Sequence, residues 1–369
     1  MGGGRTQPNG RRPGDVNKVN PHEAALSLGV DWFNQERPQG PHRCQHGVIV
    51  RAIVYQRYGP PEVLEMREMH TPVPGDRDVL ISVEAASVNR SDWEGLIGKP
   101  LYSRMGGLRR PRRHILGSDV AGRVVEVGRA VQSFRVGDEV FGDLMYHGGS
   151  AFAEYVCVPE TAPIAHKPAT VSFAEASCLP QAGVIALQGT SGRIAPGDRV
   201  LVNGAGGGAG AFAIQMAKAA GAEVTGVDNG WKQEFMRSVG ADHVLDHTRT
   251  DYTKSDTPYD LILDLFCERS MFAIRRVVAP GGRYSAVGGS VRALLSAVTV
   301  GRLLSTGGRT IGVLMVRPDR EDLVRVADMV VAGRLRTTID RAYPLDRVPE
   351  ALRHLGQGRA LGKLVIEMG

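Results

Sequence analysis

The residues with the most chemical meaning are Asn203-Gly204-Ala205-Gly206-Gly207-Gly208-Ala209-Gly210. Ala205, Gly207 and Gly210 fill the three positions of a G-x-G-x-x-G fingerprint, with Ala in the first. A glycine at the second position lets a pyrophosphate approach the backbone, and one at the third lets a helix pack closely on a strand. The start of such a helix offers unpaired N–H groups and about half a positive charge to phosphate oxygens. A tight turn with no ligand is the alternative. Asp228 follows 18 residues after Gly210. A carboxylate there commonly accepts hydrogen bonds from ribose hydroxyls and repels a 2′-phosphate, or else caps the next helix. Lys232 and Arg237 lie just beyond and could neutralise a phosphate. The expected cofactor set is Ala205, Gly206, Gly207, Gly208, Ala209, Gly210, Asp228, Asn229, Lys232 and Gly288. NADH and NADPH both remain open.

These residues need a strand before the turn, a helix after it and a strand leading to Asp228. The pattern supplies them: strand Val200–Asn203, helix Ala211–Ala220, strand Glu223–Val227. The rhythm continues with helix 232–239, short strands at 243–246 and 261–264, helix 271–278 and strand 283–287. Strands alternating with helices predict a doubly wound parallel sheet, so the fold class is α/β. Residues 48–172 read differently, as short apolar runs at Val48–Tyr55, Val79–Ala86, Asp119–Val127 and Glu154–Val158, broken by Gly, Pro and Asp. They predict an irregular β domain. The tail holds one amphipathic helix, Arg320–Ala332, before strand-like residues ending at Lys363-Leu364-Val365-Ile366. Residues 1–47, rich in Gly, Pro, Asn and Arg, read as a mostly disordered extension lacking the apolar core of a secretory signal. A start at Val50, where the folded pattern begins, is the other expectation.

The 369 residues are 42% apolar, enough for two or three cores and too much for a disordered chain. No apolar run approaches the roughly 18 residues of a membrane span, so no membrane partner is expected. Cys44, Cys157, Cys178 and Cys267 are too few and too scattered for a disulfide framework, and fit a reduced, cytoplasmic setting. The net charge of +6 is local. Arg104, Arg109, Arg110, Arg112 and Arg113 crowd one stretch with no acid between them. Nucleic acid is not an expected partner.

Several further stretches resemble the medium-chain dehydrogenase/reductases, in the quinone oxidoreductase-like branch that needs no zinc. They are Ser87-Val88-Asn89-Arg90-Ser91-Asp92, the run from Leu116 to Gly128, Phe134 to Gly142, the glycine turn, Arg237 to Asp246 and Gly362 to Ile366. The resemblance covers about residues 50–369. It implies a GroES-like catalytic domain over 48–172, a Rossmann domain over 173–316 and a C-terminal return over 317–369.

What is missing relative to the zinc enzymes then carries weight. Their catalytic zinc is held by a Cys, the His of a Gly-His-Glu segment and a second Cys. At those positions this chain resembles them with Asn89, Gly117-Ser118-Asp119 and Gln181, which are poor zinc ligands. The four closely spaced Cys of a structural zinc lobe are missing too, and Cys178 reads as a small buried residue. The implied chemistry is metal-free hydride transfer from NADH or NADPH to an enone, quinone or carbonyl compound. Such a substrate is activated by its own carbonyl. The family pattern makes Asn89, Asp92 and Tyr102 the candidate catalytic residues. Asn89 would donate to a substrate oxygen and Tyr102 a proton, whereas Asp92 would pair with a base or cap the turn begun at Ser91. Ser118 and Asp119 would line the cavity. The Arg stretch is a solvated loop or an attractant for an acidic substrate. Reduction of a C–O bond without zinc and a cofactor-binding regulatory protein are the competing readings. The family's last Rossmann strand pairs across a two-fold axis, so Arg309–Val316 is expected to build a homodimer; the rival is that the helix Arg320–Ala332 covers this edge within one chain.

Overall fold

The computed structural model describes Met1, residues 48–104 and residues 107–369. Apart from Met1, the expected extension over 1–47 lies outside the described residues, as do Met105 and Gly106 of the Arg stretch. The chain runs through β1 (Ile49–Val54), β2 (Glu65–His70), β3 (Asp78–Val88), α1 (Arg90–Ile97), β4 (Asp119–Val127), β5 (Glu139–Asp143), β6 (Tyr155–Pro159) and β7 (Ile164–His166). Then come α2 (Phe173–Ser177), α3 (Pro180–Thr190), β8 (Arg199–Asn203), α4 (Gly208–Ala219), β9 (Glu223–Asp228), α5 (Gln233–Ser238), β10 (His243–Asp246) and β11 (Tyr259–Asp264). The remainder is α6 (Met271–Val277), β12 (Val278–Ala286), α7 (Val291–Leu304), β13 (Thr310–Val313), α8 (Arg320–Val331), β14 (Ile339–Pro344), α9 (Val348–Gly356) and β15 (Lys363–Glu367).

Strands β8 to β13 form a parallel sheet in the order β10-β9-β8-β11-β12-β13. Order reverses beside β8, with β9 on one side and β11 on the other. In doubly wound sheets the ligand crevice opens at the carboxyl ends of strands at such a switch point. The glycine turn begins there, at Asn203. The strands are apolar along their length because both faces are covered: Val200, Leu201, Val202, Leu261, Ile262 and Leu263 are fully buried.

A second sheet, ordered β14-β15-β3-β4-β5-β7 with β6 also on β3, collects strands from both ends of the chain. Its central strand β3 pairs antiparallel with β4, β6 and β15. The C-terminal strand therefore returns to the domain that the N-terminal strands build. It also touches the other domain, because Gly362 N–H donates to Gly206 O at 3.0 Å. That bond sets β15 against the glycine turn.

Local differences from the sequence reading have simple causes. Helix α3 was not foreseen, since it is buried nearly all round and shows no amphipathic period. Helix α7 was also not foreseen; it starts at Ser290, whose hydroxyl accepts from Ala293 N–H. The last parallel strand is shorter than expected, Thr310–Val313. Helix α8 begins where expected, at Arg320, and packs on α3 and β7.

Candidate active site

The glycine turn owes its shape to two close approaches. A Cβ on Gly210 would collide with the carbonyl oxygen of Gly204 and the backbone of Ala205, so the third glycine is required by the fold itself. A Cβ on Gly207 would meet only Gly204 O, at 3.5 Å, so the space above it is open. The first helical bond of α4 runs from Ala211 N–H to Gly207 O. The N–H groups of Ala209 and Gly210 therefore precede the ladder and form the cradle an anionic pyrophosphate would need, beside the backbone bridge between Gly207 and Gly362. This arrangement fits a dinucleotide.

Asp228 ends β9, as expected, but its carboxylate is engaged within the protein. It accepts from Gly206 N–H at 2.9 Å and Asn229 N–H at 2.8 Å. Lys232 Nζ lies 3.4 Å from Oδ1, the oxygen that takes the Asn229 N–H, and both side chains are buried. The expected phosphate-neutralising lysine is thus already paired. Beyond them a cleft of about 360 Å³ is lined by Asn229, Gly230, Trp231, Gln233, Asp246, Thr248 and Arg249. Gly288 lies where its Cβ would press on Leu265 O at 2.9 Å.

One residue at this crevice was missed by the sequence reading. Asp264, at the end of β11, is fully buried. Its carboxylate accepts from Asn203 Nδ2, Phe266 N–H, Cys267 N–H, Tyr252 OH and Tyr284 OH, at 2.8–3.1 Å. It fixes the 265–267 turn against the glycine turn. No spacing in the sequence marks it, because three of its five donors come from the distant residues 203, 252 and 284.

The second cluster forms where α1, β4, α3 and β15 meet. Asn89 stands just before α1, Ser118 just before β4, Asp119 opens β4, and Gln181 lies in the first turn of α3. The structure thus gathers the positions matching the zinc ligands. Asn89 Nδ2 donates to Ser118 Oγ at 3.1 Å, and Ser91 Oγ donates to Gln181 Oε1 at 2.9 Å. Asp119 accepts from Ser87 Oγ at 2.9 Å and Gln181 N–H at 3.1 Å. Into this group comes a side chain the sequence reading gave no role. Lys363 Nζ donates to Asn89 Oδ1 at 2.6 Å and lies 3.4 Å from Asp119 Oδ2. Asn89, Ser118, Asp119 and Lys363 are all buried. The donor set does not fit zinc. It offers an amide, a hydroxyl and a second amide where thiolates and imidazole are wanted, and an ammonium already lies against it. Among the described residues no group of three or more His, Cys, Asp or Glu is placed to hold a metal.

Asp92 belongs to this cluster as a brace. Its two oxygens accept from Asn89 N–H at 2.8 Å and Gly117 N–H at 3.2 Å, joining the start of α1 to the loop before β4. No base is bonded to it by any bond the structure shows, and the turn it closes is the first of α1, which begins at Arg90 with Asn89 before it and not at Ser91. Burial pushes its carboxyl up to about 7. Burial likewise raises Asp119, against the pull of Lys363, and raises Asp143 well above the ordinary carboxylate range. Tyr102 lies apart from these bonds. Its hydroxyl is 3.3 Å from Glu94 Oε2 and 3.2 Å from Gly289 O, so one proton is shared between two acceptors. Burial, then the Glu94 charge, pushes the phenol up to about 12. It is a neutral phenol that ties α1 to the loop after β12.

The Arg stretch divides. Arg104 Nε donates to Gly98 O at 2.8 Å, with its guanidinium over the Tyr58 ring, and Arg113 donates to Met145 O at 2.6 Å. Arg109 and Arg110 are exposed. Cys178 is fully buried and its thiol faces Ala174 O, as expected of a packing residue.

A β-rich domain carrying a buried polar cluster, joined to a parallel sheet with an open glycine cradle, defines a nicotinamide-nucleotide oxidoreductase. Residues 75–169 match the family described as alcohol dehydrogenase GroES-like domain, and residues 239–366 match zinc-binding dehydrogenase. The chain is 30% identical over 341 residues to the chloroplast envelope quinone oxidoreductase homolog of Arabidopsis thaliana, covering 87% of this chain and 99% of that one. It is 32% identical over 330 residues to a 2-methylene-furan-3-one reductase of Solanum lycopersicum, covering 86% and 79%. The solved quinone oxidoreductase from Coxiella burnetii superposes with a TM-score of 0.79 at 28% identity, covering 87% and 100%. The chain belongs to the medium-chain dehydrogenase/reductase superfamily, in its quinone oxidoreductase-like branch. It is an NAD(P)H-dependent oxidoreductase.

Proposed function

We propose that this enzyme reduces the carbon–carbon double bond of enones or quinones without zinc. The observation that carries the reading is the buried Asn89–Ser118 pair with Lys363 against it and the half-buried Gln181 bonded to the neighbouring Asp119, in place of metal ligands. Without a Lewis acid, the substrate must activate its own electrophilic carbon through a conjugated carbonyl. Bound nicotinamide supplies the hydride. Asn89 keeps a second N–H beyond the one given to Ser118, and this proton would hold the substrate carbonyl as negative charge builds on its oxygen. A solvent proton completes the reduction at the carbon next to the carbonyl. Asp92 serves by fixing Asn89 N–H, and Tyr102 by tying the loop at Gly289 to Glu94 of α1.

The reading has further parts. Asp228, a carboxylate at the end of β9 with Lys232 at 3.4 Å, favours the free 2′-hydroxyl of NADH over the 2′-phosphate of NADPH. The domain division at 48–172, 173–316 and 317–369 is supported by which sheet each strand joins. A homodimer is supported by β13, an edge strand among the described residues, and by exposed Val291, Leu295 and Val298 on α7 beside it. A reducing, cytoplasmic setting fits the free thiols of Cys178 and Cys267. No described helix is long and apolar enough to cross a membrane.

The test is turnover on a panel of enones and quinones after exhaustive chelation, with elemental analysis of the same sample. Full activity with far less than one zinc per chain is expected. One chelator-resistant zinc per chain, required for turnover, would overturn the metal-free reading.

A further inference from the structure

The buried ammonium of Lys363 needs a reason. A lysine side chain is rarely this enclosed, at 3% exposure, unless its charge is matched. Here the match is divided unequally. The ammonium sits 2.6 Å from the neutral Asn89 Oδ1 and 3.4 Å from the carboxylate oxygen of Asp119. Asp119 is held in place by Ser87 and by Gln181 N–H, so the ammonium's approach to the amide is not an accident of a loose counter-ion.

We infer that Lys363 is the positioning residue of this site: its ammonium orients and polarises the Asn89 amide, supplying from within the chain a cation at the locus where zinc relatives place a metal. The inference rests on the reading of Asn89 as the donor to a substrate carbonyl. An asparagine amide can be placed two ways round. With Oδ1 against an ammonium, the flipped form would set NH2 against NH3⁺. Lys363 therefore fixes Nδ2 toward Ser118 and leaves the remaining N–H for a ligand. A cation on the amide oxygen also draws electron density from nitrogen, making that N–H a stronger donor, as in chains of polarised hydrogen bonds.

The fold makes room for this contact at its own cost. The stem of Lys363 crosses the start of α4, where a Cβ on Gly208 would lie 2.5 Å from Lys363 Cδ. Gly362 N–H bonds to Gly206 O, so the backbone of this lysine is tied to the cofactor turn. One residue thus joins the nucleotide cradle to the substrate-side amide. Facing the ammonium from β4 is Asp119, from α1 Asp92 and from β5 Asp143; burial raises all three carboxyls, and Asp119, whose Oδ2 lies 3.4 Å from the ammonium, is the one in contact with it.

The test is a double-mutant cycle on the full chain with NADH, a short-chain enone and a benzoquinone as probes. K363M, N89A and the double variant are compared with wild type. If Lys363 acts through Asn89, each single change lowers kcat about tenfold or more, with a smaller change in KM, and the double variant is no worse than N89A. Losses that multiply in the double variant, or K363M with wild-type kcat, would overturn the inference. Should K363M not fold, K363Q keeps a donor to Asn89 Oδ1 without the charge, and K363R restores the charge. The expected order is then wild type, K363R, K363Q; equal rates for all three would refute a role for the cation. A wild type inactive on both probes defeats the enone and quinone reading alone. The orientation claim is then read from the Asn89 side-chain NH2 resonance, assigned by its loss in N89A. It should shift in K363Q, and an unmoved resonance would count against the inference.

Discussion

Gly207→Ala separates ligand binding from folding at the glycine turn. The backbone at Gly207 has φ −94° and ψ 177°, an extended conformation open to any residue. The new Cβ would touch only Gly204 O, at 3.5 Å, an ordinary contact. Stability should stay level or rise by about 0.4–1 kcal/mol, because Ala restricts the unfolded chain. The same methyl would stand where a pyrophosphate must come to the backbone. Loss of one or two charge-assisted hydrogen bonds costs about 3 kcal/mol, or about a hundredfold in Kd. Titrating NADH into wild type and variant by nucleotide fluorescence, beside a thermal melt of each, measures both quantities. Gly210→Ala is the control: its Cβ collides with Gly204 O, so it should lower the melting temperature of the cofactor-free protein. A well-folded Gly207→Ala variant that binds NADH and NADPH within twofold of wild type would refute the assignment of this turn to the cofactor.

Asp92 gives a pH signature. Its carboxyl is raised by burial to about 7, so the stability it lends is full below about pH 4 and fades as pH rises through 7. Urea unfolding of wild type should lose up to about 4 kcal/mol from this group over that window, and D92N should lack that part of the slope; parallel curves would contradict it. L295E on the exposed face of α7 should turn a dimer into a monomer in light scattering, while a monomeric wild type at micromolar concentration would dismiss the dimer. D228S should weaken NADH binding and narrow any preference over NADPH, and a wild type that favours NADPH would reverse the proposed role of Asp228.

The cofactor half of the molecule was legible because its signals are local. The glycine turn, the strand before it and the acid ending β9 lie within one run of 29 residues, 200–228, and each follows from spacing. The alternation of strands and helices likewise gave the parallel sheet. Helix α3 was hidden because burial all round removes the period that marks a helix, and α7 because the apolar residues at 291, 295 and 298 lie on a face that the described chain leaves uncovered. The substrate side was harder for another reason. Asn89 was named through resemblance, but its partner Lys363 is 274 residues away, and no spacing rule joins them. Asp92 shows the same limit. Its bond to Gly117 N–H, 25 residues on, required the fold.

The destination of the hydride tests the central claim most directly. Chelated enzyme supplied with cofactor deuterated at the nicotinamide C4, on the transferring face, and an acyclic enone should give the saturated ketone with one deuterium on the carbon β to the carbonyl, as seen by NMR and mass spectrometry. An allylic alcohol with deuterium on the carbinol carbon would contradict it and make the enzyme a carbonyl reductase.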